Sequence, residues 1–298
     1  MKIPQILTNG DQVAIVATAR KVKKEELQPV INLLKTWGLT AVIGSSIGLE
    51  ENQFAGHDKE RAEDFQRQLN DPNIKAIWCA KGGYGTVRIL DQLDFTAFLK
   101  NPKWIIGYSD ITALHSHIHN IGISTLHAQI CINIENKSNL TRETLRKNLF
   151  GEAVDYTFSH HKLNRNGIGE GQIIGGNLSV LFSLIGSKSD LDTRGKILFI
   201  EDLDEYLYHI DRMMQNLKRT DWFKNLNGLI IGGMSDMNDN AIPFGKTAEE
   251  IIAETVTNYD FPIAFNFPVG HIEDNRAIML GRKISLKVTS NECYMSYI

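Results

Sequence analysis

Short apolar runs rich in β-branched residues alternate along this chain with stretches whose apolar positions recur at helical spacing. Residues 13–17 (VAIVA) form the first run. A helical pattern over residues 24–37 then puts Leu27, Val30, Ile31 and Leu34 on one face, and Gly38 ends it. A strand at 40–43, a helix over 59–69 and a strand at 74–80 follow. After a glycine-rich turn come a helix near 86–91, a strand at 104–107 and a helix beginning near Asp110. Continuous apolar strands separated by helices predict a parallel sheet covered on both faces. The stretch 135–169 breaks the rhythm with Asn, Lys, Arg, Ser and Gly throughout, including HHKLNRNGIGEG. A second block begins with ILFI at 197–200 and continues with a helix near 210–218, a strand at 229–231, a helix over 247–257 and a strand at 263–265. The tail, at 277–280, 284–288 and 294–298, reads as short strands with no helix between them.

The pattern therefore predicts an α/β chain. Residues 1–140 form an N-terminal parallel-sheet domain of flavodoxin/Rossmann-like type, 141–168 cross between domains, and 169–298 form a C-terminal α/β domain with a barrel-like strand finish. A length of 298 residues accommodates two domains, each with its own core.

Composition removes several classes of function. A formal net charge of −3 offers no basic excess to neutralise a phosphate backbone, so no nucleic-acid partner is expected. The three cysteines, Cys79, Cys131 and Cys293, are odd in number and widely spaced, which fits a reducing compartment and no disulfide framework. The N-terminal MKIPQILTNGDQ has no signal-peptide run, and no segment approaches the roughly 20 apolar residues of a membrane span. A cytoplasmic location is expected.

Four segments could carry chemistry. In WIIGYSDITAL (104–114) a buried strand runs through Gly107 and Tyr108 into Ser109 and Asp110 at a helix start. A serine on such a turn presents its hydroxyl, and the N–H groups at the helix start can stabilise an oxyanion. The bland alternative is that Ser109 or Asp110 caps the helix. The loop from Lys81 through Gly82, Gly83, Tyr84 and Gly85 to Thr86 also joins a strand to a helix. It presents backbone N–H groups to an anion or supplies a second oxyanion donor, or simply lets a helix pack closely. Glu201, Asp202, Asp204 and Glu205 follow a buried strand. A carboxylate there could orient an imidazole, sit in a solvated loop or hold a divalent metal. His271, directly after Gly270 in PVGHIEDN, could exchange a proton near neutral pH. The run His115-x-His117-x-His119 lies in a predicted helix, where only His115 and His119 share a face, so no metal pair is expected. A serine, a carboxylate and a histidine at strand ends are the components of acyl transfer.

The segments KGGYGTVR, IIGYSDITALH, IIGGNLSVL, ILFIEDLDEYLYHIDRMMQNL and FPVGHIEDNRAIMLG, spread over residues 81–281, resemble the ordered motifs of the LD-carboxypeptidases. The resemblance implies serine peptidases that release the terminal D-alanine from murein tetrapeptides in peptidoglycan recycling. It implies a triad of Ser109 as nucleophile, His271 as general base and Glu201 as its carboxylate. It implies oxyanion donors at the N–H groups of Asp110 and Gly83, no cofactor and no metal, a small peptide substrate and a homodimer. Lys81 and Arg88 are candidate cations for the substrate carboxylate, and His127 is a candidate cleft residue. Many members carry His-Gly where this chain has His127-Ala128, which puts a substrate role of His127 in question. The family also contains self-immunity hydrolases that cut a peptidyl or aminoacyl nucleotide of the microcin C type. Those are longer, and the compact chain favours the murein branch. A non-catalytic nucleotide-binding module, with residues 82–85 on a phosphate, is the reading from another class.

Overall fold

The computed structural model describes all 298 residues. The chain forms two compact units: Met1–Ala153 with Glu273–Met279, and Val154–Ile272 with Leu280–Ile298. No helix is long and apolar enough to cross a membrane.

The first unit contains β1 (Gln12–Val16), α1 (Gln28–Thr36), β2 (Thr40–Ile43), α2 (Asp58–Asn70), β3 (Ile74–Cys79), α3 (Thr86–Leu90), α4 (Thr96–Lys100), β4 (Trp104–Gly107), α5 (Thr112–Asn120), β5 (Thr125–His127) and α6 (Asn139–Phe150). Strands β2, β1, β3, β4 and β5 lie in that order, each pair parallel. This is the flavodoxin-like order, in which the chain leaves β1 for β2 on one side and returns to β3 on the other. Strand β1 is buried over four of its five residues and β4 over all four, because helices cover both faces of a parallel sheet. The core beneath one helical layer gathers Phe65, Leu69, Leu90, Phe98, Ile111 and Leu114.

The second unit contains β6 (Asp155–Ser159), β7 (Gly167–Asn177), α7 (Leu178–Leu184), β8 (Ile197–Leu203), α8 (Leu207–Arg219), β9 (Gly228–Ser235), α9 (Ala248–Thr255) and β10 (Ile263–Ala264). After β11 (Ile278–Leu280), which joins the first sheet beside β5, the chain ends in β12 (Lys283–Val288) and β13 (Glu292–Tyr297). The second sheet runs β10-β9-β8-β7-β12-β13-β6. Strands β10, β9, β8 and β7 are parallel, and β7, β12, β13 and β6 are antiparallel. The two halves carry different burial signatures. Strand β8 is buried at six consecutive positions, whereas β6 alternates exposed and buried, as a strand with one wet face must.

The barrel-like finish is corrected to an antiparallel extension of one mixed sheet, whose order ends at β10 and β6. A single bridge between Arg165 and Ile263, with hydrogen bonds of 3.0 and 3.1 Å, ties the start of β7 to the β10 edge. Strands β10 and β6 are not paired with each other, and full pairing is what a closed barrel requires.

Candidate active site

In the first unit, fully buried β4 runs into Tyr108, whose backbone is extended, and then into Ser109, whose φ is +64°. A side chain in this left-handed region costs about 1–2 kcal/mol and persists only where the surroundings over-determine it. The constraint is visible: the turn closes so tightly that a Cβ on Gly107 would stand 2.8 Å from Ile111 Cγ1. Gly107 O also accepts hydrogen bonds from Ala128 N–H at 3.0 Å and from His115 Nε2 at 2.9 Å. The single 3-10 turn Ser109–Ile111 then continues into α5. Neither that turn nor α5 has a side-chain cap. The half-buried Ser109 is thus held on a strained strand-to-helix turn, with its hydroxyl uncommitted to capping.

The glycine-rich loop lies against this serine. A Cβ on Gly82 would stand 3.4 Å from Ser109 Cβ and 3.5 Å from its Oγ. Asp110 joins the two loops, because its buried carboxylate accepts the Thr86 N–H at 2.9 Å. Burial pushes this carboxyl above the usual range, and the bonds from Thr86 and Gly85 partly offset the effect. Behind the loop, fully buried Arg61 donates to Thr18 O at 2.6 Å and Gly85 O at 3.2 Å, and pairs with Asp58. Thr18 and Thr86 share a hydroxyl hydrogen bond of 2.9 Å. The ends of β1 and β3 are thereby fastened to one another.

In the second unit, Glu201 sits near the carboxyl end of β8, where the β8–β9 register shifts between Ile200 and Asp202. A bulge of this kind re-aims side chains, and here the adjacent carboxylates are both buried with different partners. Glu201 Oε2 accepts His271 Nδ1 at 2.7 Å and the His271 backbone N–H at 3.2 Å. Asp202 accepts from Asn177 Nδ2 at 2.8 Å and from Ser179 N–H at 2.9 Å, at the start of α7. Burial, and then the charge of Glu201, push Asp202 up to about 7. The ring of His271 is 12% exposed and Glu201 is fully buried. In the tautomer whose Nδ1–H faces the carboxylate, Nε2 is the nitrogen left to accept a proton. Ser235 Oγ donates to His271 O at 2.8 Å and fixes the loop from its other side.

The four carboxylates that followed ILFI are dispersed. Besides the two above, Asp204 accepts from Asn238 Nδ2 at 2.8 Å and Glu205 pairs with His209 at 2.5 Å. Arg88 is committed to Asp58, with contacts of 2.9 and 2.7 Å. Lys81 is half-buried on the glycine-rich loop. His127 is fully buried, its ring 6.0 Å from those of both Tyr108 and His115, so it packs beneath the serine turn. Gly83 lies under the side chain of Arg20, while Gly82 meets the serine. Sequence reasoning missed Arg20, Arg61 and Asp58. The available signal for Arg20 was its place just past β1, at the carboxyl edge of a parallel sheet.

The two units combine a flavodoxin-like sheet bearing a strained serine turn with a mixed sheet bearing a carboxylate-oriented histidine. Residues 13–128 match the LD-carboxypeptidase N-terminal domain and residues 170–286 match the LD-carboxypeptidase C-terminal domain. The chain belongs to the LD-carboxypeptidase family. It is 33% identical to the probable murein peptide carboxypeptidase of Bacillus subtilis, over 95% of this chain and 91% of that protein. It is 27% identical to the Microcin C7 self-immunity protein MccF of Escherichia coli, over 97% of this chain and 96% of that one. The crystal structure of muramoyltetrapeptide carboxypeptidase from Oxalobacter formigenes shares the fold with a TM-score of 0.87 at 24% identity, covering 96% of this chain and 98% of that chain.

Proposed function

We propose that this chain is a serine-type carboxypeptidase that hydrolyses the L,D-peptide bond of murein tetrapeptides and releases the terminal D-alanine. The observation that carries the reading is Ser109 at φ +64° on a strand-to-helix turn, with Gly82 against its hydroxyl. A residue type that avoids this conformation occupies it where a nucleophile needs a protruding hydroxyl. The 2.7 Å bond between Glu201 and His271 supports the assignment of the base.

In the proposed reaction His271 Nε2 takes the Ser109 proton as Oγ attacks the carbonyl carbon. Glu201 holds the ring and stabilises the imidazolium. The N–H of Asp110 and a glycine N–H of the 82–83 loop stabilise the oxyanion. His271 then protonates the departing amine of D-alanine, and water, deprotonated by the same ring, resolves the acyl-enzyme. Neither metal nor cofactor enters this chemistry. The 33% identity to the probable murein peptide carboxypeptidase supports the murein branch, whereas the identities to the murein tetrapeptide carboxypeptidase of Pseudomonas aeruginosa, 26%, and to the self-immunity protein, 27%, do not separate the branches. A cytoplasmic homodimer completes the proposal.

The test incubates wild type and Ser109→Ala with murein tetrapeptide and with an aminoacyl-nucleotide analogue, and follows the products. Wild type should release D-alanine, and Ser109→Ala should be slower by several orders of magnitude with its fold intact. Near-wild-type release from the variant would overturn the nucleophile. Cleavage of the nucleotide analogue alone would assign the chain to the other branch. A tight nucleotide complex with no fluorophosphonate labelling of Ser109 would make it a binding module.

A further inference from the structure

We propose that Arg20 anchors the free C-terminal carboxylate of the substrate; this rests on the carboxypeptidase reading above. An enzyme that removes a terminal residue must distinguish a chain end from an internal peptide bond, and the distinguishing group is a carboxylate. In open α/β sheets ligands sit outside the carboxyl ends of the strands where the strand order reverses, which here is the gap between β1 and β3. The loops bounding that gap are residues 17–20 and the glycine-rich loop 81–85. The Thr18–Thr86 hydroxyl bond and the two Arg61 bonds hold them together.

Arg20 crosses from the first loop onto the second. Its Nε, Cδ and Cγ lie 2.5, 2.6 and 3.0 Å from where a Cβ on Gly83 would stand, so a side chain at this position would have to displace the arginine. The neighbouring Gly82 is the residue that meets the Ser109 hydroxyl. The guanidinium stem therefore lies one residue along the loop from the contact with the proposed nucleophile. The charges of the three arginines are disposed differently. Arg61 and Arg88 are both paired with Asp58, whereas Arg20 is exposed and has no carboxylate partner. A planar guanidinium matches a carboxylate with two parallel hydrogen bonds, which the point charge of Lys81 cannot reproduce.

The experiment compares a murein tetrapeptide with its C-terminal amide as substrates for wild type, Arg20→Ala, Arg20→Lys and Lys81→Ala. Wild type should prefer the acid. Arg20→Ala should lose about 10- to 100-fold in kcat/KM on the acid, mostly through KM, and its acid-to-amide preference should collapse. Arg20→Lys should recover part of that preference. Retention of the preference in Arg20→Ala, or its collapse in Lys81→Ala instead, would overturn the proposal. A fluorophosphonate without a carboxylate separates the two levels of inference. If wild-type Ser109 is not labelled, the carboxypeptidase reading itself falls. If wild type is labelled and Arg20→Ala is not, Arg20 shapes the loop instead of binding substrate, and the proposal falls alone.

Discussion

Replacing Gly270 by alanine should cost much more than its size suggests. Gly270 has φ +116°, which side chains rarely adopt, and it passes directly over Glu201. An added Cβ would stand 2.8 Å from Glu201 Oε2, 2.9 Å from its Cβ and 3.1 Å from its Cγ. Relaxed carbon contacts need about 3.5–4.0 Å. The carboxylate end could swing aside, but the Glu201 Cβ is fixed to β8 and cannot. The backbone conformation should cost about 1–2 kcal/mol and the overpacking about 1–3 kcal/mol. Gly245 is the control, with φ +86° and no heavy atom within 4 Å of an added Cβ, so Gly245→Ala carries the backbone cost alone. Denaturant unfolding should therefore place Gly270→Ala below Gly245→Ala by about 1–3 kcal/mol. The same clash should pull Oε2 away from His271 Nδ1, and a displacement near 1 Å lowers turnover by about 100-fold. Equal losses of stability in the two variants, with wild-type turnover in Gly270→Ala, would refute the claim that this glycine gives the carboxylate its room.

Two other perturbations test the electrostatics. Glu201→Gln should keep the fold and reduce kcat by about 10³–10⁴, by losing the tautomer and the countercharge of His271. Because the charge of Glu201 helps to raise Asp202 to about 7, the same variant should lower the Asp202 pKa, read by carboxyl ¹³C shifts; an unmoved Asp202 would rule out that coupling. Burial pulls His115 down to about 4 from an ordinary 6.5, so on acidification the unfolded chain takes up this proton first. Its contribution to stability is present above 6.5 and is lost as the pH falls towards 4. His115→Gln should therefore show a shallower loss of stability across that window in urea titrations, and a pH-independent difference from wild type would contradict the assignment.

The strands expected at 13–17, 74–80, 104–107 and 197–200 coincide with β1, β3, β4 and β8. They were legible because a parallel strand is buried on both faces and so is written as an unbroken apolar run. The segment expected as one helix over 24–37 begins as a 3-10 turn, Lys24–Leu27, with Pro29 opening α1. The polar stretch 141–168 holds most of α6, all of β6 and the first residues of β7. Its pattern is weak because β6 buries only Tyr156 and Phe158. Asp110 resisted reading for a different reason. Its sequence position suggests a cap for the helix that follows, yet its carboxylate serves Thr86, which lies 24 positions earlier.

The sequence by itself determined the family, the alternation of strands and helices and the residue types able to carry acyl transfer. These properties reside in local order, namely periodicity, turn residues and motif spacing. Only the tertiary structure decided which neighbours those residues have. It put Gly82 against Ser109 and Arg20 over Gly83, seated His127 beneath the turn, and gave Glu201 to His271 while Asp202 went to the start of α7. Such choices arise where strands distant in the chain end side by side. There the strained φ of one serine and the space above one glycine are set by packing from several directions at once.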